Sequence, residues 1–275
     1  MGFYAPHSLI NDARRHGVEV RGVDVNASDA LATLENAAES TEPAIRLGLA
    51  EVRTLGGKAA ERVAAARPYR DLEDFAARTR LPAATLEALA TAGAFGCFGL
   101  SRRAALWAAG AAASVRAGQL PGTTAGLAAP PLPAMTPAEE TLADLWATGT
   151  YGTHPMAHIR AELTARRVLT AASARSPDTD IAPDSDVTVA GLVTHRQAPP
   201  TARGVVFLSL EDETGMLNVI CPPHVWARHR RVATTAPALL IYGRIERTGG
   251  AVNLLATALR PLQVATAALA SRDFR

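Results

Sequence analysis

Residues 204–221 read GVVFLSLEDETGMLNVIC, and the fold turns on this stretch. Val206, Leu208 and Leu210 alternate with Val205, Phe207 and Ser209, the period-two pattern of a half-buried strand. Glu211, Asp212, Glu213, Thr214 and Gly215 form a tight acidic turn, closed by a glycine able to take positive φ. Leu217, Val219 and Cys221 then resume the alternation. If Val206, Leu208 and Leu210 face a core, Phe207 faces outward, and Met216, Asn218 and Ile220 share its side.

Working outward, Val187–Thr194 reads as an earlier strand, and Ala238–Glu246 and Ala251–Leu259 as two later ones. Pro222–Arg231 is long enough for a short helix between the third and fourth. Five strands with a helix in that place give the order of an OB-fold, a small barrel that commonly binds single-stranded nucleic acid. Charge agrees. The whole chain of 275 residues carries a net +2, but Val187–Arg275 holds ten arginines against five acids, whereas Pro121–Asp186 is net −4.

Upstream, the chain reads as helical. Residues 3–20 form an amphipathic helix with Leu9, Ile10 and Ala13 on one side, ended by Gly17 and followed by a short extended piece, VRGVDVN. AIRLGLAEVRTLGGKAAERVAAAR, 44–67, carries a second signal, whose core is VRTLGGKAAERV. Residues 69–112 hold two or three helices punctuated by Pro82, Gly93 and Gly99, with Ser101 as an N-cap. Ala113–Thr136 is a linker rich in Ala, Gly and Pro, and Thr136–Pro137 with two acids starts another helix. The expected class is therefore α+β and multidomain: a helical region followed by a five-stranded OB-fold barrel. Its parts are 1–43, a helical region 44–112, a linker 113–136, a helical connector 137–186, the barrel 187–262 and a tail 263–275.

Several of these stretches carry a family resemblance. FYAPHSLINDARRHGVEVRGVDVNAS resembles the segment leaving the fingers of bacterial C-family DNA polymerases, the replicative alpha subunit and its error-prone relative. VRTLGGKAAERV resembles a helix-hairpin-helix, LEALATAGAF the helical region after it, and His154–Pro155 the turn before the barrel. The final SRDFR resembles the end of the error-prone branch, so the chain is expected to be the C-terminal part of something longer. The resemblance implies Leu55 as the buried turn residue, Gly56, Gly57 and Lys58 at a DNA phosphate, and Ala60 and Val63 in the helix crossing. Thr54 stands where the family has its first glycine. Two readings of the hairpin stay open: a phosphate contact, or a structural turn with Lys58 in solvent. The resemblance further implies Mg²⁺ for the full-length enzyme, DNA as partner, and mutasome proteins that reach the sliding clamp.

Catalytic residues are not expected here, because the palm carboxylates that hold two metal ions lie upstream of the family segment matched. Glu211, Asp212 and Glu213 alternate faces at a turn, and Cys221, His224 and His229 lack a fourth zinc ligand. The acids Asp178, Asp180, Asp184 and Asp186 lack the glycine and terminal glutamate of a calcium loop. Arg102 and Arg103 open a helix and could meet phosphate or solvent. For the barrel, Phe207 is the candidate stacking platform beside Asn218. Arg196 and Arg203 flank the first loop, and Arg244 and Arg247 the last hairpin. The competing reading is a barrel face that docks a protein partner. Two cysteines, no leader and no apolar run of membrane length predict a cytoplasmic protein.

Overall fold

Short helices joined by tight turns build residues 6–152, and a closed barrel with a helical preface builds the rest. The computed structural model describes residues 6–36, 43–115, 119–120, 122–177, 185–264 and 272–274. The chain divides into two units, Met1–Gly152 and Thr153–Arg275.

The first unit opens with α1 (Pro6–Arg15), stopped by Gly17 at φ +83°. Phe3 to Ala5 of the expected helix lie outside the described residues. The expected apolar side holds in part, with Ile10 packed against the core and Ala13 half-buried, but not at Leu9. Leu9 is 57% exposed, and Asn11 is buried instead because its amide donates to the Tyr151 hydroxyl (2.6 Å). Three short strands follow, β1 (Val20–Arg21), β2 (Thr33–Glu35) and β3 (Ala44–Arg46). β3 lies between the others, parallel to β1 and antiparallel to β2. Ala44–Arg46 is thus strand where a helix was expected. Arg21 and Arg46 both bond the Glu35 carboxylate (2.8 to 3.0 Å), which clamps the three strands together.

Then come α2 (Gly57–Ala65), α3 (Leu72–Thr79), α4 (Ala83–Thr91), α5 (Arg102–Ala112) and α6 (Pro137–Thr148). Their starts follow the sequence: Asp71 and Ser101 accept from amides three residues on, and Thr136 and Glu139 form a reciprocal capping box. Phe75 sits fully buried between Tyr69 and Phe95, edge-on to both at 4.8 and 5.2 Å. The linker is not free: Glu73 accepts from the Gly122 amide (2.7 Å) and the Thr124 hydroxyl (2.9 Å). Nor does 137–186 form one connector. Helix α6 belongs to the first unit, and the chain from Thr153 onward to the second. Arg102 and Arg103 explain why, since they bind Asp144 and Glu139 of α6 at 2.7 and 2.8 Å.

The second unit begins with a 3-10 turn, Pro155–Ile159, then α7 (Arg160–Ala165) and α8 (Ala171–Arg175). The His154 ring accepts from the Met156 amide (3.2 Å), within the turn before the barrel that the resemblance implies. The barrel strands are β4 (Asp186–Gln197), β5 (Val206–Asp212), β6 (Gly215–Cys221), β7 (Ala238–Thr248) and β8 (Ala251–Pro261), with α9 (Pro223–Thr235) between β6 and β7. Their order, β5-β6-β8-β7-β4 with β4 returning to β5, closes the OB-fold. A strand absent from the sequence reading, β9 (Arg272–Phe274), adds in parallel to β4.

Inside lie Val189, Leu208, Leu210, Leu217, Val219, Leu239, Ile241 and Leu254, none more than 1% exposed. Each such side chain contributes roughly 1.5–3 kcal/mol by leaving water. Two strand crossings demand glycine. A Cβ on Gly243 would lie 2.2 Å from the Leu255 carbonyl oxygen, and one on Gly191 2.9 Å from that of Glu211. The outer sides of β4 and β7 (Ala190, Leu192, Ala238, Leu240) form a separate apolar cluster with Met156, Leu163 and Val168.

Candidate nucleic-acid interface

The outer sides of β5 and β6 are left open. Parity holds: Val206, Leu208 and Leu210 are buried, whereas Phe207 is 37% exposed and Asn218 is exposed. Register carries this face across the barrel. Phe207 pairs with Ile220, Ile220 with Leu255, and Leu255 with Arg244. Ser209 pairs with Asn218, and Asn218 with Asn253. Paired residues in a sheet point to the same side, so an apolar row ending in Arg244 runs beside a polar one. An aromatic ring flanked by amides is suited to a stacked base whose edge meets hydrogen-bonding groups. Leu255 and Asn253 escaped the sequence reading because the parallel β6–β8 pairing leaves no local signal.

The four predicted arginines do not stay together. Arg244 lies on the open face, 53% exposed, held by Asp186 at 3.2 Å. Such an exposed pair is worth about 0–1 kcal/mol, so a phosphate can displace the carboxylate. Arg203 is exposed in the β4–β5 loop, at φ +49°. Arg196 is a correction: it is buried, and its guanidinium donates to the carbonyls of Ala233 (2.7 Å) and Ala236 (2.6 Å). It serves the carbonyls left over at the end of α9. Arg247 is a second correction, donating to the carbonyls of Ala174, Arg175 and Ser176 at the end of α8.

The acidic turn is also tighter than expected. Strand β5 runs through Asp212, which is 1% exposed. Asp212 accepts from Arg160 (3.0 Å), from the amides of Ala171 (2.8 Å) and Thr214 (2.8 Å), and from the Thr214 hydroxyl (2.6 Å). Arg160 also forks onto Glu213. Burial alone would raise the Glu213 pKa, but the hydrogen bond and charge of Arg160 bring it below the usual value. The stability it lends is present above the ordinary glutamate range and is lost as pH falls through that lowered value. Carboxylates held this way do not fit Mg²⁺, and among the described residues no group of three or more His, Cys, Asp or Glu could hold a metal. Cys221 is fully buried, which pushes its thiol up to about 11. Asp178, Asp180 and Asp184 lie outside the described residues.

In the first unit, the hairpin turn sits on Leu55, 5% exposed, with Ala60 and Val63 buried behind it. Its first helix is only a 3-10 turn, Leu49–Glu51. Thr54 and Gly56 both hold φ +69°. Thr54 thus adopts the left-handed conformation natural to glycine, at a cost on the order of 1–3 kcal/mol for a β-branched residue. A Cβ on Gly56 would meet nothing within 4 Å, so φ and not space calls for glycine there. The first backbone bond of α2 runs from Ala60 N to Gly56 O (3.0 Å), and Gly56 offers no side-chain cap. The amides of Gly57, Lys58 and Ala59 precede that bond, with Gly56, Gly57 and Lys58 exposed. Such a helix start attracts an anion. Arg62, exposed one turn beyond Lys58, was missed, although its i+4 spacing was legible.

Comparison with known proteins fits this geometry. A family model described as a helix-hairpin-helix motif matches residues 17–105, and one described as an OB-fold nucleic acid binding domain matches 187–262. Curated proteins named error-prone DNA polymerase match the whole chain. That of Mycolicibacterium paratuberculosis is 52% identical over 281 residues, that of Nocardia farcinica 49% over 288, and that of Anaeromyxobacter sp. 45% over 290. The chain spans 24–25% of the length of these relatives. Among the described residues no helix is long and apolar enough to cross a membrane. From one end to the other, then, this chain is a relative of the error-prone DNA polymerases, equivalent to about a quarter of their length, and couples a helix-hairpin-helix region to an OB-fold nucleic-acid-binding domain.

Proposed function

We propose that the chain is the DNA-handling C-terminal portion of an error-prone, translesion polymerase. The hairpin grips the backbone of duplex through the amides at the start of α2, with Lys58 and Arg62 adding charge. The barrel receives single-stranded template on its open face, where Phe207 stacks a base and Ser209, Asn218 and Asn253 meet base edges or sugar. The observation that carries this reading is the open row Phe207–Ile220–Leu255 beside the polar row, in a barrel whose β4–β7 outer side is covered. Arg203 and Arg244 remain as phosphate contacts, while Arg196 and Arg247 leave the set.

In this reading the parent enzyme copies past lesions during damage-induced repair synthesis in the cytoplasm. Mg²⁺ serves its palm, not the residues described here, and mutasome proteins link it to the sliding clamp. The chain purified alone extends no primer. The apolar half of the open face favours one competing role, docking a protein partner. A salt series separates the two, because phosphate contacts release counterions and a protein-docking face does not. Labelled single strand and duplex are titrated with the parent, Lys58→Glu and Gly56→Val. Steep salt dependence in both arms is expected, with duplex binding weakened in both variants. Salt-independent or absent DNA binding by folded protein would give the face to a protein partner.

A further inference from the structure

We propose that helix α9, with Arg203, forms a second contact surface on the barrel, one that binds the phosphodiester backbone of a nucleic acid. It shares with the reading above the premise that the barrel meets nucleic acid, and the residue Arg203. Phe207 need not stack for it to hold.

The inference comes from following each arginine to its partner. Between Val187 and Leu262 there are eight arginines and four acids. Arg196 and Arg247 are engaged by helix-end carbonyls, Arg260 by the Tyr242 ring at 5.5 Å, and Arg244 on the open face is paired with Asp186 until a phosphate displaces it. Asp212 and Glu213 are taken by Arg160, Glu211 is 2% exposed, and the fourth acid, Glu246, is exposed on β7, away from α9 in sequence. Four cations remain, Arg203, Arg228, Arg230 and Arg231. All four are exposed, and among the described residues no hydrogen bond, ion pair or ring contact engages them. The unengaged guanidinium groups of the barrel therefore fall in one place.

That place is well anchored. Val225 and Ala233 are buried, Trp226 and Val232 pack on the barrel core, and Arg196 closes the C-terminal end. The helix, PHVWARHRRVATT, has no acid of its own. The helix kinks at His229 (φ −111°, ψ 16°), with Arg228 on one side and Arg230 and Arg231 on the other, and like charges this close in sequence repel, so the cluster gives the isolated fold nothing. Arg203 joins it because a Cβ on Gly204 would lie 3.5 Å from Pro223 Cγ, at the first turn of α9. Free guanidinium forks match phosphate oxygens. Phe207 pairs with Ile220 next to the end of β6, where the chain turns into α9. A strand leaving that row has this surface within reach.

The test is Arg228→Gln with Arg231→Gln, compared with the parent and Phe207→Ala, titrated against oligothymidine, a duplex and poly-glutamate over a salt series. The slope of log K against log salt should fall by about 1.4 for single strand or about 1.8 for duplex, two contacts at 0.7 or 0.9 each. Whichever arm falls names the form of nucleic acid that α9 meets. Phe207→Ala should leave the slope alone. Parental slopes in both DNA arms, in protein with a parental melting temperature, would overturn the proposal. So would a loss confined to poly-glutamate, which would assign the helix to an acidic protein segment. If the double variant unfolds, Arg231→Gln alone decides by half the change. A reduced slope with an inert Phe207→Ala would remove the stacking face and leave this surface standing.

Discussion

In the proposed function the hairpin and the barrel approach the same chemical target with different material. In the hairpin the donors are backbone amides, and what matters is whether the chain can hold φ +69° at Thr54 and Gly56. In the barrel the donors are side chains, and what matters is which of them the fold has left unengaged. Arg196 sits near an expected loop yet faces inward to carbonyls, and Arg247, though exposed, commits its guanidinium to the carbonyls at the end of α8. A backbone site is therefore set by dihedral angles, and a side-chain site by the whole list of internal partners.

This contrast can be broken at several points. The largest effect is expected at Asp212, whose removal takes the acceptor from the Ala171, Thr214 and Gly215 amides and the Thr214 hydroxyl and leaves Arg160 with Glu213 alone. Asp212→Ala should lower barrel stability by about 3–5 kcal/mol in urea unfolding while leaving hairpin binding to duplex intact. Next, Phe207→Ala should weaken single-strand binding by about 1–3 kcal/mol, read by anisotropy, with an unchanged melting temperature. A lowered melting temperature with parental affinity would make the ring structural. The hairpin offers the opposite sign. Thr54→Gly should stabilise by about 1 kcal/mol, because relief of the left-handed strain outweighs glycine's greater entropy in the unfolded chain. Unchanged or reduced stability in thermal melts would mean the turn is not strained. The smallest effect belongs to Arg244→Ala, which should lower the single-strand salt slope by about 0.7 and shift stability by under about 1 kcal/mol.

What was legible in the sequence was local. Alternation from Val205 to Ile220 placed Phe207 and Asn218 on one side, and the capping residues Ser101 and Thr136 marked helix starts. Register between distant strands was not legible, so Asn253 and Leu255 came only with the parallel pairing of β6 and β8. Asp212 looked like a turn acid because its partner Arg160 lies 52 residues away. Arg196 looked like a loop cation because the carbonyls it serves begin 37 residues on. Leu9 and Asn11 exchanged places for the same reason, since Tyr151 is 140 residues from Asn11. In each case a distant hydrogen-bond partner overrode the local pattern.

The two close crossings at Gly191 and Gly243 have a dynamic consequence. With the space for a Cβ already filled by carbonyl oxygens of Glu211 and Leu255, these crossings have no slack, and parting the strands there must break several ladder bonds at once. The β7–β8 hairpin ends otherwise, in a two-residue turn of Gly249 and Gly250, both at positive φ and exposed, with open space around them. Breathing of the barrel should therefore start at that tip and die out before Gly243. Amide hydrogens near Thr248 and Ala251 would exchange with solvent early, and those around Ile241 only when the whole barrel opens.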